Sequence, residues 1–191
     1  MIGILIGSAI AMGSPSPVKP IVVTPDIADP GKISVALTVT GTTAQVSRIT
    51  RLTKVVEKII NSEKFKTRVL GSYYKGKLQF YDTTLNNEQV YETIRRGNEL
   101  KSGNDYRWDL SIGVKHSRCS TLGWTYPNIR EFYFNSCGFD QRSDSGLAGT
   151  ICHEYNHKLG FSHSVQYTKS REYSVPYAIG TICAELYKEF L

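Results

Sequence analysis

The sequence predicts an α+β domain in which helices pack on a twisted sheet, and three observations carry that prediction. Residues 33 to 39 alternate apolar and polar side chains, with Ile33, Val35, Leu37 and Val39 on one side. This is the period-two signature of a strand with one buried face. From Thr43 to Asn61 the period changes. Val46, Ile49, Leu52, Val56, Ile59 and Ile60 recur at helical spacing, with Arg48, Lys54 and Lys58 between them, which predicts a long amphipathic helix. Beyond it, stretches rich in aromatic and β-branched residues precede a second, well-capped helix. A strand–helix–strand start followed by further strands is the order of a sheet with helices laid on it. With 191 residues, 40% of them hydrophobic and 21% charged, one domain with a substantial core is expected, spanning residues 32–191.

The remaining elements follow in order. "KFKTRVLG" and "KLQFYDT" (64–71 and 77–83) read as two strands around a turn at Gly71–Gly76. "NNEQVYETIRRG" (86–97) has an Asn-rich start and a Gly stop, so it reads as a short helix. "YRWDLSIGVKHS" (106–117) and "IREFYFN" (129–135) are strand-like in composition. "SDSGLAGTICHEYNHKLG" (143–160) is a helix with N-caps among Ser143 to Ser145 and a stop at Gly160. A loop runs from Phe161 to about Val175, and "PYAIGTICAELYKEFL" (176–191) closes the chain as a helix with Pro176 near its first turn.

The N-terminus reads differently. "MIGILIGSAIAMG" (1–13) is apolar and ends with Ala11 and Gly13 at the −3 and −1 positions of a secretory cleavage site. The rival reading is a buried N-terminal strand. The run is too short to span a bilayer, which takes about 20 residues. Residues 14–31 hold five of the seven prolines and read as an extended linker or a strap over the surface. The net charge of +6 is spread through runs of at most two basic residues, which is a solvated surface and not a nucleic-acid footprint. Four cysteines, Cys119, Cys137, Cys152 and Cys183, suit an exported chain with disulfides. Of the three possible pairings, Cys119–Cys137 and Cys152–Cys183 are preferred, the second pinning the histidine-bearing helix to the C-terminal one; four reduced thiols are the alternative. No C-x-x-C spacing is present, so a cysteine-ligated zinc site is not expected.

Three of the four histidines fall in "HEYNHKLGFSH", residues 153 to 163. His153 and His157 are one helical turn apart and share a face, so both can point at one ion. Glu154 is rotated about 100° from His153. That places it to take a proton from water on the ion and pass it to a leaving amine, not to ligate. Gly160 lets the chain turn at no steric cost, and His163 then returns as a third ligand. Three imidazoles and an open position suit zinc. By composition, a chance match to this spacing arises in about one chain in a hundred thousand. His116, the fourth histidine, lies near a strand end and reads as structural.

His153, Glu154, His157, Gly160 and His163 match the signature of the metzincin zinc metallopeptidases, and the order of elements before them is similar to theirs. The resemblance implies a mostly parallel twisted sheet with a long backing helix, an active-site helix and a C-terminal helix. It also implies a cleft between an upper and a lower subdomain, with Gly160 at their boundary. An upper edge strand would bind substrate in extended form, and "WTYPNIREFYFN" (124–135) is the candidate. Metzincins carry a methionine in a turn beneath the metal; here only Met1 and Met12 exist, so Val175 or Pro176 would floor the site. Some members use a tyrosine after that turn as a ligand or oxyanion donor, a role for Tyr177, with Tyr167 and Tyr173 competing. Asp26 or Asp29 would serve if residues 14–30 acted as a latency strap. Asp140 and Asp144 are read as capping and turn residues, with calcium binding, as in some relatives, the alternative.

The expected activity is that of a secreted or periplasmic zinc endopeptidase, a monomer acting on peptide or protein substrates without nucleic-acid partners or a membrane span. The alternatives are a secreted zinc-binding interaction module without proteolysis and a metal hydrolase of cell-wall peptides.

Overall fold

The computed structural model describes residues 21–23, 31–97, 99, 105–117, 119–126 and 129–191. The segment read as a signal, residues 1–13, and both Asp26 and Asp29 lie outside them. The fold is α+β. Five strands form one sheet in the order β1 (Ile21–Val23), β2 (Ser34–Thr40), β5 (Arg107–Lys115), β7 (Glu131–Asn135) and β6 (Gly123–Thr125). The three central strands are parallel, with Ser34 opposite Arg107 and Ser111 opposite Glu131, while β1 and β6 run antiparallel at the two edges. The strap read from the prolines therefore contains a short edge strand, which pairs Ile21 with Val39.

In β2 the expected alternation holds: Val35, Leu37 and Val39 are buried between half-buried neighbours. Helix α1 (Thr43–Ile60) opens with a capping box between Thr42 and Gln45 and buries Val46, Ile49, Leu52, Val56, Ile59 and Ile60. Asn61 ties its end to the sheet, donating to the Ile33 carbonyl and accepting from the Ile33 amide, both at 2.7 Å. This two-point link satisfies both backbone groups of Ile33 at the entry to β2, and the same side-chain amide also donates to the Glu57 carbonyl of the last helical turn at 2.8 Å.

Three expectations are corrected. Residues 64–71 are not a strand: 64–70 belong to helix α2 (Glu63–Leu70) and Gly71 is its C-cap. Ser62 caps it by accepting from the Phe65 amide at 3.1 Å, and Phe65 and Val69, four apart, are its buried face. The cap and the i, i+4 pair decide for a helix where the irregular apolar spacing does not. The second presumed strand shrinks to β4 (Lys77–Leu78), paired with β3 (Tyr73–Tyr74) across Lys75 and Gly76. Both turn residues have positive φ, 47° and 82°, as a tight hairpin turn requires. The presumed single edge strand in residues 124–135 is two strands. β6 is the edge, and β7 lies inside it between β6 and β5. Helix α3 (Asn87–Arg96) forms as expected, capped by Asn86.

After β7 come a single-turn helix, α4 (Ser136–Phe139), then α5 (Asp144–Lys158) and finally α6 (Val175–Leu186). α5 packs on α1, β6 and α6. Its crossing with α6 is made at two glycines. A β-carbon on Gly149 would stand 2.7 Å from the Gly180 carbonyl oxygen, and one on Gly180 would stand 2.9 Å from the Gly149 oxygen. The two backbones meet where neither residue has a side chain. On the other side of α5, Tyr155 stacks on Trp108 with centroids 3.9 Å apart, and Trp108 donates to the Ile94 carbonyl at 2.9 Å.

Cys119 and Cys137 form a disulfide, as expected. Cys152 and Cys183 do not; both are buried free thiols on the facing sides of α5 and α6. Burial, and then the neighbouring Cys183, push the Cys152 thiol well above its ordinary range. No helix among the described residues is long and apolar enough to cross a membrane.

Candidate metal centre

Helix α5 begins at Ser143, which accepts from the Gly146 amide at 3.2 Å. Asp144, at its first residue, is held by Arg48 at 2.8 Å and Arg51 at 2.7 Å, both from α1. The carboxyl is thus an anchor between two helices. Burial pushes its pKa up, but the two guanidiniums outweigh that and hold it below the usual value.

At the other end of α5 the turn takes a specific form. Gly160 has φ of 90°; its amide reaches the His157 carbonyl, and the Phe161 amide reaches the Asn156 carbonyl, each at 3.2 Å. These two bonds define a Schellman stop. The reversal sets the Phe161 carbonyl 2.9 Å from His157 Nδ1 and returns His163 to the helix face. His163 Nδ1 lies 3.0 Å from the Ser164 carbonyl, and the His153 ring bonds the Pro176 backbone, whose only polar group is its carbonyl. Each ring thus has a carbonyl to fix its orientation, one each from Phe161, Ser164 and Pro176, the usual support for a ligating imidazole.

The three rings converge. Their candidate ligand atoms lie within 4.8 Å of one another, with His153 Nε2 and His163 Nε2 3.2 Å apart. A tetrahedral zinc with bonds of about 2.0–2.1 Å separates its nitrogens by about 3.3 Å. With Nδ1 of His163 donating outward, its Nε2 presents a lone pair to the other rings, an arrangement that a cation relieves. Burial, then the neighbouring His157 and His163 and the Arg171 charge, bring His153 down to about 3. His157 and His163 are lowered as well, burial again the largest cause. All three imidazoles are therefore neutral at neutral pH, the form that binds metal. Their chemistry and spacing fit a divalent ion.

Glu154 is 5% exposed, and burial raises its carboxyl to about 7, with Lys158 opposing. It sits against the edge strand: a β-carbon on Gly123 of β6 would lie 3.2 Å from Glu154 Oε1 and 2.8 Å from Thr150 Cγ2. The bare glycine leaves the carboxylate its space. Tyr177, in the first turn of α6, packs its ring 4.5 Å from His153 and 4.7 Å from His163. The competing tyrosines point elsewhere. Tyr167 is 77% exposed and donates to Glu172, while Tyr173 packs on Tyr74. Val175 and Pro176 are buried in the first turn of α6. His116 stands apart, 3.5 Å from Ser136 Oγ and Cys137 Sγ, and is not in the histidine group.

Several contributors were not legible in advance. Lys158, 7% exposed, directs its Nζ to the carbonyls of Tyr126, Ile129 and Glu131 in the β6–β7 connection. In the sequence it was one basic residue among 23. Arg171 lies over the Tyr177 ring, 4.6 Å from its centroid, in a stretch read only as loop.

No family model matches this chain. Searches among curated proteins and among solved structures likewise return no match.

Proposed function

We propose that the chain is a zinc-dependent endopeptidase of metzincin type. The observation that carries this reading is the convergence of His153, His157 and His163 on one point, beside a buried carboxyl, Glu154, that lies against an edge strand. His153, His157 and His163 would hold the ion through imidazole nitrogens. When bound, it supplies a positive charge that polarises a carbonyl and acidifies water next to it.

The remaining work falls to this chain's own side chains. An extended peptide adds to the edge strand β6 through main-chain hydrogen bonds, which give affinity with little sequence preference. Glu154 takes the proton from the attacking water at its carboxylate and returns it to the departing amine nitrogen. A carboxyl whose affinity for protons is raised by burial suits both halves of that transfer. The Tyr177 phenol, packed on two of the three rings, donates to the oxygen that becomes negative at the former carbonyl. Lys158 fixes the β6–β7 connection relative to the last turn of α5, so rim and helix hold one geometry.

The test is a casein or quenched-peptide assay on purified protein, with elemental analysis, before and after chelation. One bound zinc per chain and chelator-sensitive cleavage are expected. Zinc binding without cleavage, unchanged by Glu154→Gln, would leave the interaction-module reading in its place.

A further inference from the structure

Arg171 is a feature of the metal centre that the proposed chemistry leaves unused. Its guanidinium lies on the Tyr177 ring at 4.6 Å, and that ring packs on His153 and His163, so one aromatic ring separates the guanidinium from the metal ligands. A cation beside a site built for a cation is unfavourable unless an anion joins them.

Among the described residues no carboxylate is ion-paired with Arg171; the Asp82 charge acts on His163 instead. The nearest carboxylate in sequence, Glu172, is engaged by the Tyr167 hydroxyl. Arg171 Nη1 makes one long bond, 3.4 Å, to the Val165 carbonyl, the guanidinium also hydrogen-bonds the Tyr177 phenol, and its Nε is buried with no partner. An unpaired buried donor on a charged group is costly, and the guanidinium's planar fork matches a carboxylate. The residue is also well positioned. Its amide reaches the Thr168 carbonyl at 3.0 Å, and its own carbonyl accepts from the Ser174 hydroxyl at 2.7 Å and the Ser174 amide at 3.1 Å. Ser174 immediately precedes α6, so Arg171 is fixed to the helix that bears Tyr177.

We propose that Arg171 docks a carboxylate of the substrate next to the scissile amide, so that the site prefers peptides presenting an acidic side chain or a free C-terminus there. This rests on the peptidase reading. The two sources share one chemistry and are separable by experiment. Fluorescence anisotropy is measured on the zinc-loaded full chain carrying Glu154→Gln, which holds substrate without turnover. The probes are three labelled peptide sets of equal length: Glu scanned along the chain with an amidated C-terminus, Gln throughout with a free C-terminus, and Gln throughout with an amide.

At least one carboxylate set is expected to bind about tenfold tighter than the neutral set, the scale of one charge-assisted pair, and which set does so identifies the source. The preference should fall below twofold in Arg171→Gln and survive in part in Arg171→Lys, whose zinc content and circular dichroism check the fold. Equal binding of all sets, binding of none, or a preference that persists in Arg171→Gln would overturn the proposal. Cleavage of the same peptides by the native chain separates the two readings. Cleavage without preference removes Arg171 alone; preference in binding without cleavage removes the peptidase and leaves the carboxylate site.

Discussion

Helices α1 and α5 are neighbours of similar length, yet they are held by different physics. α1 has one apolar stripe turned to the core, with charged residues facing out and a capping box at its start. Its stability is a sum of many interchangeable apolar contacts. α5 is enclosed on several sides. It buries Glu154, Asn156 and Lys158 along with its apolar residues, and it meets α6 backbone to backbone at Gly149. A helix of the first kind tolerates substitution of similar volume; one of the second kind depends on particular atoms at particular places.

The difference can be tested as a double dissociation. Glu154→Gln on α5 should lower kcat/KM for any peptide the chain cleaves by about 10³-fold, with zinc content unchanged. In the metal-free protein the same change should alter the pH dependence of stability. The folded carboxyl sits at about 7 against an ordinary 4.5, so between those values the unfolded chain has already released its proton. Stability from this group therefore falls as pH rises through that window. The gap between native and Glu154→Gln melting temperatures should widen from pH 5 to pH 8 in favour of the variant. A constant gap would mean that the carboxyl is not buried as described.

Ile49→Ala on α1 should do the reverse. It should cost about 3 kcal/mol in urea unfolding while leaving zinc stoichiometry and kcat unchanged at a temperature where the variant is folded. Gly149→Ala adds a single methyl, but places it 2.7 Å from the Gly180 oxygen. About 2 kcal/mol of destabilisation is expected, together with weaker zinc binding, because α6 carries the Pro176 carbonyl that orients His153. Smallest is the link between the two helices. Asp144→Asn should cost about 1 kcal/mol, measured by urea unfolding at pH 7. Because the folded carboxyl is held below its ordinary 3.8, that cost should disappear as pH drops through and below this value.

The same contrast explains what the sequence made legible. β2, α1, α3, β5 and α5 were readable because period, caps and composition are local. The histidine tripod was readable because a helical turn and one glycine bring its members together within eleven residues. Residues 64–71 misled because three apolar side chains at irregular spacing suit either period, and the deciding signal, Ser62 as a cap, lay just outside the stretch. β6 was merged with β7 because its three residues are too few to show a period. Gly123, Lys158, Arg171 and the Gly149–Gly180 crossing were invisible because their roles arise only from distant segments meeting. The second cysteine pair was correctly brought to facing helices and incorrectly joined.

The glycine crossing has one further consequence. One turn away from each glycine, the partner helix already presents a side chain: Ala184 lies 3.0 Å from a β-carbon built on Gly149, and His153 lies 3.2 Å from one built on Gly180. Sliding either cylinder along the other by a turn would drive a methyl or an imidazole stem into a carbonyl. The pair therefore has a single seating, like a key with one notch, and the relative height of His153 and Tyr177 is set by that notch whether or not an ion is bound.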